Sequence, residues 1–318
     1  MHIACPIPKI LLPVDGSDDA KRAVQFAGCL GSFLGKSLSG VTLLRVLTGG
    51  YISRHMANVD FRAAELVKNS EVFKRVREEH IKQNIMPLLD EAEKTLKDLG
   101  AAPPVEKLVT EGDAANEILR VAGEGSFSTI MMARRGLAAA GGTPLGSVTS
   151  KVIYAANRQT VYIVGHRPLE GKACPIPRIL LPVDGSPYSL KGVEHAVCLS
   201  SNLKGALGGI TLLRVINVAL YMERMKKGID PEQEAQKIFD EARKRFLDAG
   251  IQETLITTKI KMGNPIEEII KDVEAEDYNF IVMGRKGRSA LKEMILGGVS
   301  STVLQRCSNP TVAIVSSE

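Results

Sequence analysis

The residues of this chain best suited to chemistry are two glycine arrangements that could hold an anion. One reads Gly284-Arg-Lys-Gly287, nine residues, then Gly297-Gly298-Val299-Ser300; the other reads Ala133-Arg-Arg-Gly136, nine residues, then Gly146-Ser147-Val148-Thr149. Without a Cβ, the backbone at a strand exit can approach a ligand closely. A helix that opens at the second glycine presents free N–H groups and the positive end of its dipole, which suits phosphate. The competing reading is that these glycines only shape a strand-to-helix connection. Asp15 and Asp184 each follow a short apolar run and begin Asp-Gly-Ser, so they fit either a polar contact to a ligand or a turn and helix cap. Arg134, Arg135, Arg285, Lys286 and Arg288 are placed either to bracket a polyphosphate or to sit as solvated charges.

Other patterns carry less. Gly31-Ser-Phe-Leu-Gly35-Lys36-Ser37 imitates a phosphate-binding loop, but it has three residues between its glycines where four are required, and it ends a helix instead of starting one. His2, His55, His80, His166 and His195 show no metal-ligand spacing, so neither a metal centre nor a histidine-based nucleophile is expected. Cys29 and Cys198 lie on the apolar side of a helix and are expected as buried thiols in a reducing compartment. Pairing Cys5 with Cys174 would require the two strand entrances to adjoin.

Self-similarity sets the frame that must position these groups. The segment from Cys5 to Val46 matches Cys174 to Val215 without a gap, identical at about 25 of 42 positions. Within each copy, apolar runs such as Ile10-Leu-Leu-Pro-Val14 and Ile179-Leu-Leu-Pro-Val183 alternate with segments of helical periodicity. The long amphipathic helix of the first copy should kink near Pro87. This alternation implies α/β architecture: two tandem Rossmann-like domains, each a five-stranded parallel sheet flanked by helices. The expected domains are residues 1–166, with an insertion at about 47–70, and 174–318, joined by a short polar linker. Each final strand, Val161–Val164 and Val312–Val315, exposes an apolar edge, so the copies should pack through these strands as a pseudo-twofold pair. Ligands of such sheets bind beyond the carboxyl ends of the strands, where strand order reverses.

With 318 residues, 44% hydrophobic and 24% charged, the composition excludes disorder and a fibrous repeat. No apolar stretch is long enough to span a membrane, and no basic lead with an apolar core opens the chain, so the expected location is the cytoplasm. The net charge of +5 is dispersed and aromatic residues make up only 4%, which argues against nucleic acid as partner.

The spacing Gly-x2-Gly-x9-Gly-[Ser/Thr] after strand four, with a Pro-Val-Asp strand end in each copy, resembles the universal stress protein family in a tandem two-domain form. The resemblance implies binding of an adenine nucleotide, ATP or its ADP or AMP form, with magnesium as an optional companion. It implies that Pro13, Val14, Pro182 and Val183 line the adenine, that Asp15 and Asp184 lie near the ribose, and that Val41 and Ile210 contribute from strand two. Met132 and Met283 would precede the loop. Ala133, Gly136, Gly146, Ser147 and Val148, and in the second copy Gly284, Gly287, Gly297, Gly298 and Val299, would hold the phosphates. Ala133 and Gly298 depart from the pattern, where Gly and Ser or Thr are expected. The Cβ of Ala133 threatens the backbone shape, so the second copy is the favoured site. The function expected is a stress-response regulatory protein acting through conformation or partner binding. A non-binding assembly module is the alternative, and a slow ATP hydrolase the third reading. A homodimer of whole chains is a further possibility.

Overall fold

The computed structural model describes residues 7–48, 71–137, 143–167, 178–287 and 296–316. From residue 49 the expected insertion lies outside these residues, as does the joining segment from residue 168. The first copy runs β1 (Lys9–Pro13), α1 (Asp18–Leu34), β2 (Gly40–Leu47), α2 (Glu71–His80), α3 (Met86–Asp98), β3 (Val105–Glu111), α4 (Ala114–Glu124), β4 (Thr129–Ala133), α5 (Ser147–Ala155) and β5 (Thr160–Val164). The second runs β6 (Arg178–Pro182), α6 (Pro187–Leu203), β7 (Gly209–Ile216), α7 (Val218–Lys226), α8 (Pro231–Asp248), β8 (Ile256–Met262), α9 (Pro265–Ala275), β9 (Phe280–Gly284), α10 (Gly298–Arg306) and β10 (Thr311–Val315). Helix α7, capped by Asn217, was not anticipated from the sequence.

The strands form one ten-stranded sheet in the order β3-β2-β1-β4-β5-β10-β9-β6-β7-β8. Within each copy every pairing is parallel; the copies join where β5 and β10 pair antiparallel, with Ala313 opposite Tyr162. The final strands thus cover each other's edges, as expected. Burial on both faces explains the unbroken apolar runs. Ile10 and Leu12 pack toward the face that holds α1, α3, α6 and α8, whereas Leu11 packs toward α4 and α5.

Two sequence expectations are corrected. The irregularity expected at Pro87 is a π-turn over Ile81–Ile85, one turn earlier, with Pro87 in the first turn of α3. Proline lacks an N–H and its ring crowds the carbonyl four residues back, so the preceding turn widens to accommodate it. Cys29 and Cys198 are each disulfide-bonded, and among the described cysteines only Cys307 is free. The expectation of reduced thiols rested on burial, and burial alone does not separate a thiol from a disulfide sulfur.

Candidate functional site

In each half the strand order reverses between the first and fourth strands, and in the first copy a crevice opens there. In the first copy it encloses about 1390 Å³ of space open to solvent, over the carboxyl ends of β1, β2 and β4 and beside the start of α5. Pro13, Val14, Asp15, Met132, Ala133, Gly136, Gly146, Ser147 and Val148 all line it.

Asp15 leaves β1 at a turn whose Gly16 has φ +89, a conformation that excludes most side chains. Its Oδ1 accepts from the Ser17 N–H at 2.9 Å and the Ser17 hydroxyl at 2.6 Å. Its Oδ2 accepts from the Leu137 N–H at 2.8 Å. One carboxylate therefore ties the exit of β1 to the loop after β4. Asp184 repeats the inner half of this arrangement, accepting from the Ser186 N–H at 2.9 Å. Both aspartates act as turn residues, and for Asp15 this coexists with a place in the crevice lining.

None of Gly136, Gly146, Gly284, Gly287, Gly297 and Gly298 has positive φ, so any demand for glycine at these positions is one of space. A Cβ on Gly136 would strike Asp15 Oδ2, and one on Gly287 would lie 2.8 Å from Asp184 Oδ2. Gly297 has the Cα of Lys286 at 3.3 Å from such a Cβ position, whereas Gly298 faces open space. Around Gly284 the obstacle is protein backbone: a Cβ would meet the carbonyl of Tyr188 and lie 2.9 Å from the Ser189 nitrogen. The first glycine of the motif thus admits the start of α6, and Ala133 holds an ordinary conformation in the first copy. The ground for favouring the second copy is removed. Pro182, Val183, Asp184, Met283, Gly284, Gly287, Gly297, Gly298 and Val299 occupy the same strand ends and helix start there, although residues 288–295 lie outside the described chain.

Helices α5 and α10 begin on Gly146 and Gly297, and no side chain caps them. Ser17, Asp113, Asn217, Asp230 and Asn264 cap α1, α4, α7, α8 and α9. The first-turn N–H groups of α5 are accordingly left for another acceptor, at the edge of the crevice.

Val41 and Ile210 do not reach the crevice. Val41 pairs in register with Ile10 and Ile210 with Ile179, at the entrance of the sheet, and both are core residues. Leu44, Arg45 and Val46 supply β2's contribution, and Thr48 follows just beyond the strand. The available signal was strand direction, since only the last residues of a parallel strand reach the carboxyl edge. The loop arginines also divide. Arg134 and Arg285 are buried away from the crevice, their guanidiniums on backbone carbonyls of the opposite domain. Burial lowers the pKa of Arg134 to about 10, which leaves it charged at neutral pH. Arg135 does line the crevice, its N–H donating to Asp19 at 3.1 Å. Lys286 lies over the Tyr188 ring, and Arg288 is outside the described residues.

The model of the Universal stress protein family matches residues 6–164 and again 175–315. Universal stress protein YxiE of Bacillus subtilis is 28% identical over 150 residues, 43% of this chain and 97% of that protein. A universal stress protein of Mycolicibacterium smegmatis is 26% identical over 195 residues, 59% of this chain and 62% of its own length. Among solved structures, a universal stress protein from Archaeoglobus fulgidus superposes with a TM-score of 0.63 at 19% identity, covering 98% of this chain and 99% of its own.

Proposed function

The chain belongs to the universal stress protein family, and from that premise we propose that it is a stress-response regulator that binds adenine nucleotide, ATP foremost, and acts through conformation or partner binding. The observation that carries this reading is the uncapped start of α5 at the edge of the crevice, where α1, α4, α7, α8 and α9 each have a side-chain cap. Phosphate would accept from the backbone of Ser147 and Val148 and from the Ser147 hydroxyl. Val14, Met132 and Val46 would pack the adenine, with the ribose toward Asp15. Arg135 would add positive charge beside the phosphates. Among the described residues no three His, Cys, Asp or Glu side chains gather to hold a metal ion, so a magnesium ion would ride on the phosphates and water. ATP in this reading is a ligand, and its output is carried by the chain's shape.

Denaturing extraction of the purified protein, with mass spectrometry of ATP, ADP and AMP per chain, tests it. One or two equivalents support a nucleotide site. None, with no uptake at millimolar ATP, leaves an assembly module whose glycines serve only packing.

A further inference from the structure

The arginine after each fourth strand makes a contact that crosses the pseudo-twofold axis. Arg134 is fully buried; its Nη1 donates to Leu304 O at 2.9 Å, and its Nη2 to Leu304 O at 2.5 Å and Cys307 O at 2.8 Å. These carbonyls belong to the last turn and the C-cap of α10, in the other domain. Arg285 is 2% exposed and reaches back, its Nη2 donating to Ile153 O at 2.5 Å and Tyr154 O at 3.3 Å, in the last turn of α5. A buried cation at a helix C-terminus meets both the unsatisfied carbonyls and the negative end of the dipole.

The main chains of the same arginines serve the opposite helix ends. Gly146, the N-cap of α5, donates its N–H to Arg134 O at 2.9 Å, and Gly297, the N-cap of α10, does the same to Arg285 O at 2.9 Å. Each arginine therefore holds the start of its own domain's helix by its backbone and the end of the other domain's helix by its side chain. The result is a closed ring: Arg134, α10, Arg285, α5 and back to Arg134. A hydrogen bond between Tyr154 OH and Ser301 Oγ, at 2.7 Å, ties the two helices directly.

We propose that Arg134 and Arg285 are positioning residues acting across the domain boundary: each fixes the helix whose first turn forms the phosphate end of the other domain's crevice. The phosphate ends are thereby one mechanical unit, and the affinity of either crevice depends on an arginine that does not touch it. The affinity part of this inference rests on the nucleotide reading above; the positioning part does not.

The test uses Arg134→Lys and Arg285→Lys in the full chain, since lysine keeps the charge but cannot fork across several carbonyls and should spare folding. Amide hydrogen exchange is read first, without ligand. Arg134→Lys should speed exchange in the first turn of α10, residues 298–301, and Arg285→Lys in the first turn of α5, residues 147–150. Affinity is read by calorimetry with ATP in chains where one crevice is closed by an added carboxylate, Gly298→Glu or Ser147→Glu. With Gly298→Glu present, Arg285→Lys should weaken ATP binding at the first crevice about fivefold or more; with Ser147→Glu present, Arg134→Lys should do the same at the second. Faster exchange confined to residues 304–307 and 153–156, with affinities within twofold, would make these arginines local caps and overturn the proposal. If the unsubstituted chain takes up no ATP, the nucleotide reading fails, and the exchange pattern alone decides the positioning claim.

Discussion

Replacing Gly284 by alanine separates a glycine that admits a ligand from one that admits a helix. A Cβ there would collide with the Tyr188 carbonyl oxygen, 2.5 Å from its carbon and 2.9 Å from the Ser189 nitrogen. All three are backbone atoms in the first turn of α6, so no rotamer change relieves the contact, and α6 must move off β9. That helix carries Val193, Ala196 and Val197, which are buried in the shared core. Overpacking of this kind costs about 1–3 kcal/mol. At about 2–4 °C per kcal/mol for a unit of this size, calorimetry of the full chain should show a fall of roughly 2–12 °C. The reciprocal change, Ala133→Gly, adds only backbone freedom in a strand, about 0.5–1 kcal/mol, and should move the melting temperature by about 1–4 °C. An unchanged melting temperature in Gly284→Ala, accompanied by loss of bound nucleotide, would refute the packing account and return the glycine to the ligand.

Gly298→Ser, at a position where a Cβ meets nothing within 4 Å, should fold as well as the parent and strengthen ATP binding by about 2–10-fold through one added hydroxyl hydrogen bond, read by titration calorimetry. His195 is buried against Tyr162 OH at 2.5 Å, and desolvation lowers its pKa to about 4, from about 6.5 when unfolded. Its stabilising contribution is therefore complete above about pH 6.5 and is lost as pH falls toward 4, by at most roughly 3 kcal/mol; His195→Phe should flatten the pH dependence of chemical unfolding across that window. Asp272 is buried, which raises its pKa, but hydrogen bonds from Lys261, Tyr278 and Lys259 outweigh burial and hold it below the usual value. Asp272→Ala takes the carboxylate from Lys261 and the Tyr278 hydroxyl and leaves Lys259 with Glu276, and because both lysines are part-exposed it should cost about 1–3 kcal/mol by urea unfolding.

Much of the architecture is legible because the same physics is written twice. Parallel strands buried on both faces show as Ile10-Leu-Leu and Ile179-Leu-Leu, and a duplicated Asp-Gly-Ser marks each exit. The crevice lining was readable wherever a residue's place is set by its neighbours in sequence, as with Asp15, Gly136 and Ser147. It failed where the role depends on distance along a strand. Val41 looks no different from Val46 until the register shows which end of β2 faces the crevice. It failed again for Arg134 and Arg285, because a basic residue beside a glycine loop reads as a phosphate ligand or a solvated charge, and only the crossing of the two copies brings helix carbonyls within reach. The disulfide state of Cys29 and Cys198 is likewise a property of a partner, which periodicity cannot supply.

The two copies differ most informatively at their shared axis. Tyr162 on β5 and Ala313 on β10 occupy corresponding places in the repeat and stand opposite each other in the antiparallel pair. A twofold pair of identical chains would place two tyrosines or two alanines there. The tandem chain instead seats one large ring, which stacks on Phe280 at 5.6 Å between centroids and leaves the alanine to yield the space. The neighbours have diverged to match. Phe26 on α1 corresponds to His195 on α6, and Thr129 on β4 to Phe280 on β9. Only the histidine side offers an acceptor for the buried tyrosine hydroxyl, which would otherwise lose a hydrogen bond on leaving water. Tyr162→Ala should therefore open a cavity and leave His195 without its partner, costing about 3–5 kcal/mol in unfolding experiments. Ala313→Tyr should be as harmful from overpacking, although the repeat makes the two positions equivalent on paper. Equal tolerance of both changes would mean that the axis is loosely packed and that the divergence of the copies carries no structural cost.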